Sequence, residues 1–194
     1  MTRRSAVLQA ALVFAAAPAW AQTVVELRAS STHYRFADFS HTFASGAVVD
    51  VLYLGADGSD ELYAGAGYQW KISKAVVLTP LLYGVAGKQA GERGVVAGAI
   101  LSVDTGGWKT VGFIGNFFRL AGDVPDYFFL DTLDATRVLG RWELGVSSGF
   151  FRQSGDWNPL VGPVVKRNDS RGSWALSARF GSDTDVRLVR VLTF

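Results

Sequence analysis

Cysteine is absent from the 194 residues of the sequence. No disulfide can therefore stabilise the fold, and stability has to come from hydrogen-bonded strands and packing. The two histidines, His33 and His41, have no cluster of carboxylates beside them in the sequence. We therefore expect neither a metal site nor a cofactor.

An excess of one charge sign is absent as well, once the N-terminal segment is set aside. The chain has 19 Lys and Arg residues and 17 Asp and Glu residues. Two of the basic residues, Arg3 and Arg4, belong to a segment that we expect to be removed, which leaves 17 residues of each sign. A neutral chain gives no reason to expect a nucleic-acid partner.

The N-terminal segment has the features of an export signal. Arg3 and Arg4 precede an apolar stretch over residues 6–17, which is too short to span a bilayer. Ala19, Trp20 and Ala21 then place small residues at both positions that a signal peptidase reads. We predict cleavage after Ala21, so that residues 1–21 are a signal peptide and residues 22–194 form one domain.

Long apolar runs are missing after residue 21, since no stretch reaches the about 18 residues that a transmembrane helix requires. The 22 glycines and the 13% of aromatic residues favour β-structure instead. If the chain spans a membrane, it therefore does so as a β-barrel.

Turn-forming residues divide the chain into short strands, and the turns fall into two alternating sets. The tight turns are at 45–46, 73–74, 105–107, 139–140 and 169–172, and the longer loops are at 56–60, 88–93, 121–126, 153–158 and 182–183. Gly, Asn, Asp and Pro dominate both sets because they supply the dihedral angles of chain reversals. Short turns at one end and longer loops at the other are typical of outer-membrane barrels, in which the short turns are periplasmic.

Alternation of apolar and polar residues is clear in several strands. In residues 61–72 the apolar side chains from Leu62 to Ile72 share one face, and the polar ones, from Glu61 to Lys71, share the other. The same holds for 141–150 and 173–180. In a soluble sandwich the apolar face would be the core, whereas in a membrane barrel it contacts lipid and the small polar face lines the lumen. Alternation alone does not separate these two folds.

The tryptophans favour the barrel. Four of them lie next to tight turns, as a girdle at one membrane interface would: Trp70, Trp108, Trp142 and Trp174. The alternative is a set of core tryptophans near one end of a sandwich.

We predict a closed, antiparallel, up-and-down transmembrane β-barrel of about twelve strands, with ten as the alternative because the boundary at residues 31–33 is weak. The strands cover residues 23–31, 34–44, 47–54, 61–72, 75–86, 94–103, 107–119, 127–138, 141–152, 159–168, 172–181 and 184–194. An even number places both termini at the tight-turn end. Asp131 and Asp134 fall on opposite faces of one strand, which predicts a bulge or a misplaced boundary.

The last predicted strand resembles the recognition signal of bacterial outer-membrane β-barrel proteins. It ends in Phe194, with Leu188 and Leu192 on the same face. The resemblance identifies a class and no specific family. It implies a place in the bacterial outer membrane, contact with its lipid, and assembly by periplasmic chaperones and the barrel assembly machinery.

Arg190 departs from the pattern because it falls on the lipid face, where an arginine costs about 2–4 kcal/mol at mid-depth and close to nothing near the interface.

Charged residues of both signs on the polar face of the strands are the predicted functional residues of the barrel. We predict that seven side chains line the lumen: Glu61, Lys71, Lys109, Arg119, Arg141, Glu143 and Arg179. Such charges either border a hydrated path or pair and close it. A lumen of about twelve strands exceeds what side chains alone fill, which favours a small channel, or an export pore for a polymer such as an exopolysaccharide.

Two other functions stay open. One is a sealed structural or accessory barrel that contacts an envelope or export component. The other is an enzyme that modifies lipid or lipopolysaccharide, for which Ser31 and His33 are the least implausible pair because they would share a strand face. We expect no enzyme activity and assign no catalytic residue.

Overall fold

The fold is known from a computed structural model that describes residues 21–56, 59–87, 92–153 and 155–194. Residues 1–20 of the predicted signal peptide lie outside the described ranges, so its cleavage stays a prediction. Residues 57–58, 88–91 and 154, which belong to three of the predicted longer loops, also lie outside it. Within the described ranges, no helix has the length and apolarity needed to cross a bilayer.

Antiparallel strands make up most of the described chain. In chain order they are β1 (Gln22–Ser30), β2 (Arg35–Thr42), β3 (Ala47–Ala56), β4 (Ser59–Tyr68), β5 (Trp70–Lys71), β6 (Val76–Gly87), β7 (Arg93–Asp104), β8 (Trp108–Ala121), β9 (Tyr127–Leu139), β10 (Trp142–Gln153), β11 (Asp156–Asp169), β12 (Gly172–Gly181) and β13 (Thr184–Thr193).

The sheet closes on itself. Each strand pairs with its chain neighbours, and β1 also pairs with β13 from Val24 opposite Thr193 to Ser30 opposite Arg187. The short β5 continues β4 after Gln69, and both pair with β6, so they occupy one position in the barrel. The described strands therefore form a closed barrel of twelve positions, which confirms the predicted fold, and the alternative of ten is wrong.

The two ends of the barrel differ as predicted. One end, here called the turn rim, carries the tight turns between β2 and β3, β5 and β6, β7 and β8, β9 and β10, and β11 and β12. Thr23 and Phe194 exchange two backbone hydrogen bonds there, of 3.1 and 2.9 Å, so the strands nearest both termini meet at this rim. The other end, here called the loop rim, carries the remaining connections. The weak boundary at residues 31–33 is one of these, because β1 ends at Ser30 and β2 begins at Arg35.

Apolar side chains cover the outside of the barrel. In β12, Leu176 and Phe180 are about half exposed, whereas Ser177 and Arg179 between and beside them are buried. In β4, Leu62 is likewise exposed and Tyr63 is buried. An exposed apolar face around a closed ladder is the surface that lipid requires. This distinguishes the barrel from the soluble sandwich, whose apolar face would be buried.

A bulge in β9 explains its two carboxylates. The ladder with β8 passes from Thr132 opposite Phe113 to Leu130 opposite Ile114, so Asp131 has no partner in that register. The ladder with β10 shifts at the same level. The extra residue changes which side chains point inward, and both Asp131 and Asp134 form ion pairs inside the barrel.

One half of the lumen wall is apolar, which differs from the small polar lining that the alternation predicted. The inward cluster on β3 to β8 consists of Val48, Leu52, Tyr63, Leu81, Tyr83, Val85, Val96 and Phe117. In β6 both faces are apolar, so the alternation of side chains does not distinguish the inner face from the outer face in that strand. Most of the polar lining is found on the other half of the wall, formed by β1 and β9 to β13, and the charged exceptions are Asp38, Asp50 and Glu61 on β2 to β4 and Lys109 on β8.

Candidate functional site in the lumen

A cavity of about 700 Å³ lies inside the barrel towards the loop rim. We call it the outer cavity. Its lining comes mainly from the loop-rim halves of β2 to β4 and β8 to β13, together with residues of the connections at that rim. The volume is in the range of sites for small organic molecules.

Aromatic rings form one wall of the outer cavity. The rings of Phe113 and Phe129 meet edge to face with centroids 5.6 Å apart, and those of Tyr127 and Phe151 lie 4.8 Å apart. The Tyr63 hydroxyl donates to Glu61 at 2.5 Å and lies 3.3 Å from the Tyr127 hydroxyl. Glu61 therefore lies at the edge of this aromatic wall, beside the phenol groups of Tyr63 and Tyr127.

A network of ion pairs lies at the floor of the outer cavity. We call it the central ion-pair network: Asp131, Arg179, Asp185 and Arg187, which line the cavity, and Glu26 and Arg28, which pair behind them. Arg179 donates to Asp185 at 2.5 Å and to the backbone carbonyl of Asp131 at 3.0 Å, although it is only 1% exposed. Arg187 donates to Asp185 at 2.6 Å and to Asp131 at 3.4 Å. Each buried charge thus has an opposite charge beside it, as burial requires.

The central ion-pair network crosses the lumen. Arg28 on β1 pairs with Asp131 on β9, and the shorter way round the barrel between these strands passes β13, β12, β11 and β10. The two side chains therefore reach each other from nearly opposite walls. A link of this kind narrows the lumen at mid-height.

Tyr34 stands beside the same network, in the connection between β1 and β2. The Arg187 guanidinium lies 5.3 Å from the centroid of its ring. Burial, followed by the nearby Asp131 carboxylate, raises the pKa of the Tyr34 hydroxyl well above its ordinary value. The phenol therefore stays neutral and adds no charge to the floor of the cavity.

A second set of polar contacts lies closer to the turn rim. Glu143 is 3% exposed and accepts hydrogen bonds from Lys109 at 3.1 Å, Thr136 at 2.9 Å and Asn168 at 2.8 Å. The Lys109 side chain is 36% exposed. Val111 is opposite the inward-facing Asp134 in the ladder, yet it is 42% exposed. Water therefore reaches the lumen wall below the central ion-pair network on the β8 side.

The seven residues predicted to line a pore fall into two groups. Glu61, Lys109, Glu143 and Arg179 face the lumen, and the other three are exposed at the ends of strands, with Lys71 and Arg141 at the turn rim and Arg119 at the loop rim. Placement is not a test of conduction, so their role as pore-lining residues stays a prediction.

Sequence reasoning missed several members of the central ion-pair network. Glu26 and Arg28 alternate with Val25 and Leu27 in β1, and the same alternation would have identified them. Asp185 and Arg187 likewise alternate with outward apolar residues in β13. Asp131 carried no usable signal, because the bulge at Asp131 changes the parity of β9.

The residues considered for catalysis lie at the loop rim. Ser31 and His33 are in the connection between β1 and β2, so the expectation that they share a strand face is wrong. The Ser31 hydroxyl accepts a hydrogen bond from the Val186 amide at 3.0 Å, and His33 has a φ of 62°. No group of three His, Cys, Asp or Glu side chains in the described chain is arranged to hold a metal ion.

The four tryptophans of the predicted girdle lie on the outside of the barrel at the turn rim. Trp70, Trp108, Trp142 and Trp174 are each about half exposed. Arg190 also lies at this rim, where it donates to Asp169 at 2.7 Å and stands 5.1 Å from the Trp174 ring centroid. An arginine near the interface with these partners avoids the cost it would have at mid-depth.

Fold and exterior together define the class. The chain is an outer-membrane β-barrel, as predicted: a closed antiparallel barrel with an apolar outer surface and a charged lumen.

Solved porins share this fold. The KdgM porin matches with a TM-score of 0.67 and 13% identity over 89% of this chain and 99% of that chain. A structure of the KdgM porin in complex with disordered oligogalacturonate gives 0.65 and 12%, over 89% and 98%. The NanC porin gives 0.60 and 9%, over 88% and 98%. These likenesses show that the chain shares the fold of these porins.

No protein-family profile matches the chain. No curated protein matches it by sequence.

Proposed function

We propose that this protein is a channel for small solutes in the bacterial outer membrane. The observation that carries the proposal is the outer cavity of about 700 Å³, which lies inside a closed barrel. Lys109 and Val111 add support, because they are accessible to water on the other side of the central ion-pair network. The fold that the chain shares with porins agrees with this function.

In this proposal the central ion-pair network is the constriction of the channel. Solutes enter the outer cavity and pass beside the link between Arg28 and Asp131. Fixed charges at a narrow point select permeating ions by size and sign. No observation favours export of a polymer such as an exopolysaccharide over the passage of small solutes.

Single-channel conductance tests the proposal. Residues 22–194, refolded in detergent and added to a planar bilayer, should give reproducible unitary steps. Asp131→Asn should give larger steps and a shift towards anion selectivity, because it loosens the cross-lumen link and leaves Arg28 and Arg187 less compensated.

Asp134→Asn is the matched control, since Asp134 lies in the same strand and pairs at 2.7 Å with Lys166, two strands away on the same wall. Its step size should stay close to that of the original protein. Protein that is protected from protease in the bilayer but gives no steps would contradict the channel and favour a sealed accessory barrel.

A further inference from the structure

We infer that the outer cavity is a binding site for small organic cations, with Glu61 as the counter-charge and the rings around it as the contact surface. This inference rests on the proposed channel and names the class of solute that the channel favours. It follows from the charge balance of the lumen, from the surroundings of Glu61 and from the shape of the cavity wall.

The charge balance of the lumen is acidic. Five cations face the lumen between the two rims in the described chain, and each forms an ion pair with a luminal carboxylate: Arg28, Lys109, Lys166, Arg179 and Arg187. Three luminal carboxylates have no ion pair within the described residues, namely Asp38, Asp50 and Glu61, and the first two lie side by side with buried carboxylate oxygens, so they do not both carry a charge. The fixed charge that is left over is therefore negative.

Compensated arginines do not attract anions. Arg179 and Arg187 line the outer cavity, but the carboxylates of Asp185 and Asp131 already compensate their charges. Nε of Arg179, which has no hydrogen-bond partner in the described chain, is buried. An anionic solute would have to break these pairs in order to bind, and breaking a desolvated pair leaves an uncompensated charge. The lumen thus disfavours anionic solutes, although one porin of similar fold was solved with oligogalacturonate.

Glu61 is the carboxylate that a cation would meet beside the aromatic wall of the outer cavity, whereas Asp183, which also lines the cavity, is exposed in the connection between β12 and β13. It lines that cavity and accepts a hydrogen bond from Tyr63. Exposed Arg93 borders a small adjoining pocket with Glu61, and no ion pair joins the two in the described chain. The carboxylate is therefore held in place by a phenol and has no resident cation.

The rings beside Glu61 suit an ammonium group that carries carbon substituents. Tyr127 stacks on Phe117 with centroids 4.8 Å apart, and it also lies 4.8 Å from Phe151. Aromatic faces attract cations by their quadrupole and attract alkyl groups by dispersion. A compact inorganic cation would gain only the electrostatic attraction to Glu61, without the dispersion contacts of alkyl groups with the rings. The combination of carboxylate and rings therefore selects an organic cation.

Current block by tetraethylammonium tests the inference. The refolded mature protein should conduct K⁺ in preference to Cl⁻ in a KCl gradient, and tetraethylammonium added on the loop-rim side should reduce the K⁺ current. Glu61→Gln should weaken the block about tenfold, which corresponds to ~1.4 kcal/mol. Tyr127→Leu should weaken it by a similar factor, whereas Tyr127→Phe keeps the ring and should retain most of the block.

Asp38→Asn is the control for a luminal carboxylate outside the outer cavity. Asp38 faces the lumen from β2 beside Asp50 and does not line the outer cavity, so this change should leave the block by tetraethylammonium unchanged. Calorimetric titration of the detergent-solubilised protein with tetraethylammonium measures the same site without any current, and Glu61→Gln should reduce the affinity there too.

The outcomes separate this inference from the proposed function. Absence of unitary steps overturns the channel, and the calorimetric titration then still decides the site. Unitary steps with anion selectivity and no block leave the channel intact and overturn the cation site. Equal block of the original protein and of Glu61→Gln also overturns it, because the carboxylate would then have no part in binding.

Discussion

Gly172 lies where the chain leaves the tight turn after β11 and enters β12. Its φ is 143°, and a Cβ atom built on it would stand 2.0 Å from the backbone oxygen of Val191. Gly172→Ala should therefore lower the free energy of unfolding by about 1–3 kcal/mol or more, since backbone strain and overlap act together. The measurement is urea unfolding of the refolded barrel, followed by its heat-modifiable mobility in gels.

Gly107 provides the matched control for that substitution. It also lies in a tight turn at the turn rim, and nothing stands within 4 Å of a Cβ atom placed on it. Gly107→Ala should leave the unfolding midpoint unchanged. A similar loss in both variants would show that the turns respond to any substitution and that the geometry at Gly172 has no special role.

At the scale of single residues, the sequence located turns better than it located strain. Gly106, Gly140 and Gly172 were all placed in tight turns, and all three have positive φ. Which of them is crowded depends on the strand that passes behind the turn. That strand is β13 for Gly172, and the pairing of β12 with β13 is a tertiary feature.

At the scale of elements, β13 and the Phe194 that follows it have two functions that a substitution can separate, namely closure of the barrel and recognition by the assembly machinery. Phe194 exchanges both backbone hydrogen bonds with Thr23, while its side chain is 69% exposed. Phe194→Ala should therefore leave the unfolding midpoint of the refolded barrel unchanged and slow its insertion by the reconstituted barrel assembly machinery, which we expect to read the aromatic ring.

Leu176→Ala serves as the comparison, because Leu176 is about half exposed on the same outer surface but lies in β12, outside the predicted signal. Its insertion rate should fall less than that of Phe194→Ala. If the machinery inserted Phe194→Ala at the original rate, the predicted assembly signal would be wrong.

At the scale of the whole molecule, the four turn-rim tryptophans determine how the barrel sits in a bilayer. In the variant Trp157→Phe, which removes the exposed tryptophan near the loop rim, the mature protein keeps only Trp70, Trp108, Trp142 and Trp174. Their fluorescence should be quenched more by lipids brominated near the headgroup than by lipids brominated near the chain ends, because indoles favour the interface.

The same preparation contains its own check. Stronger quenching by the deep bromines would place the turn rim inside the hydrocarbon and would contradict the girdle. Absence of quenching by either lipid would show that these side chains do not contact a membrane.

The sequence by itself determined the features that depend on neighbouring residues. Turn-forming residues located the hairpins, and the period of two located the outer face, because successive side chains in a strand point to opposite sides of the sheet. Closure also followed, since twelve strands with an apolar face and no transmembrane helix leave a barrel as the membrane-compatible arrangement.

Only the tertiary structure decided what the lumen contains. The pairing of Arg28 with Asp131 joins residues 103 positions apart in the chain, and no local pattern encodes that distance. The bulge reverses the facing of β9, and the apolar half of the lumen places rings beside Glu61. The candidate site is therefore a product of barrel closure, because closure brings distant strands to face one another across the lumen.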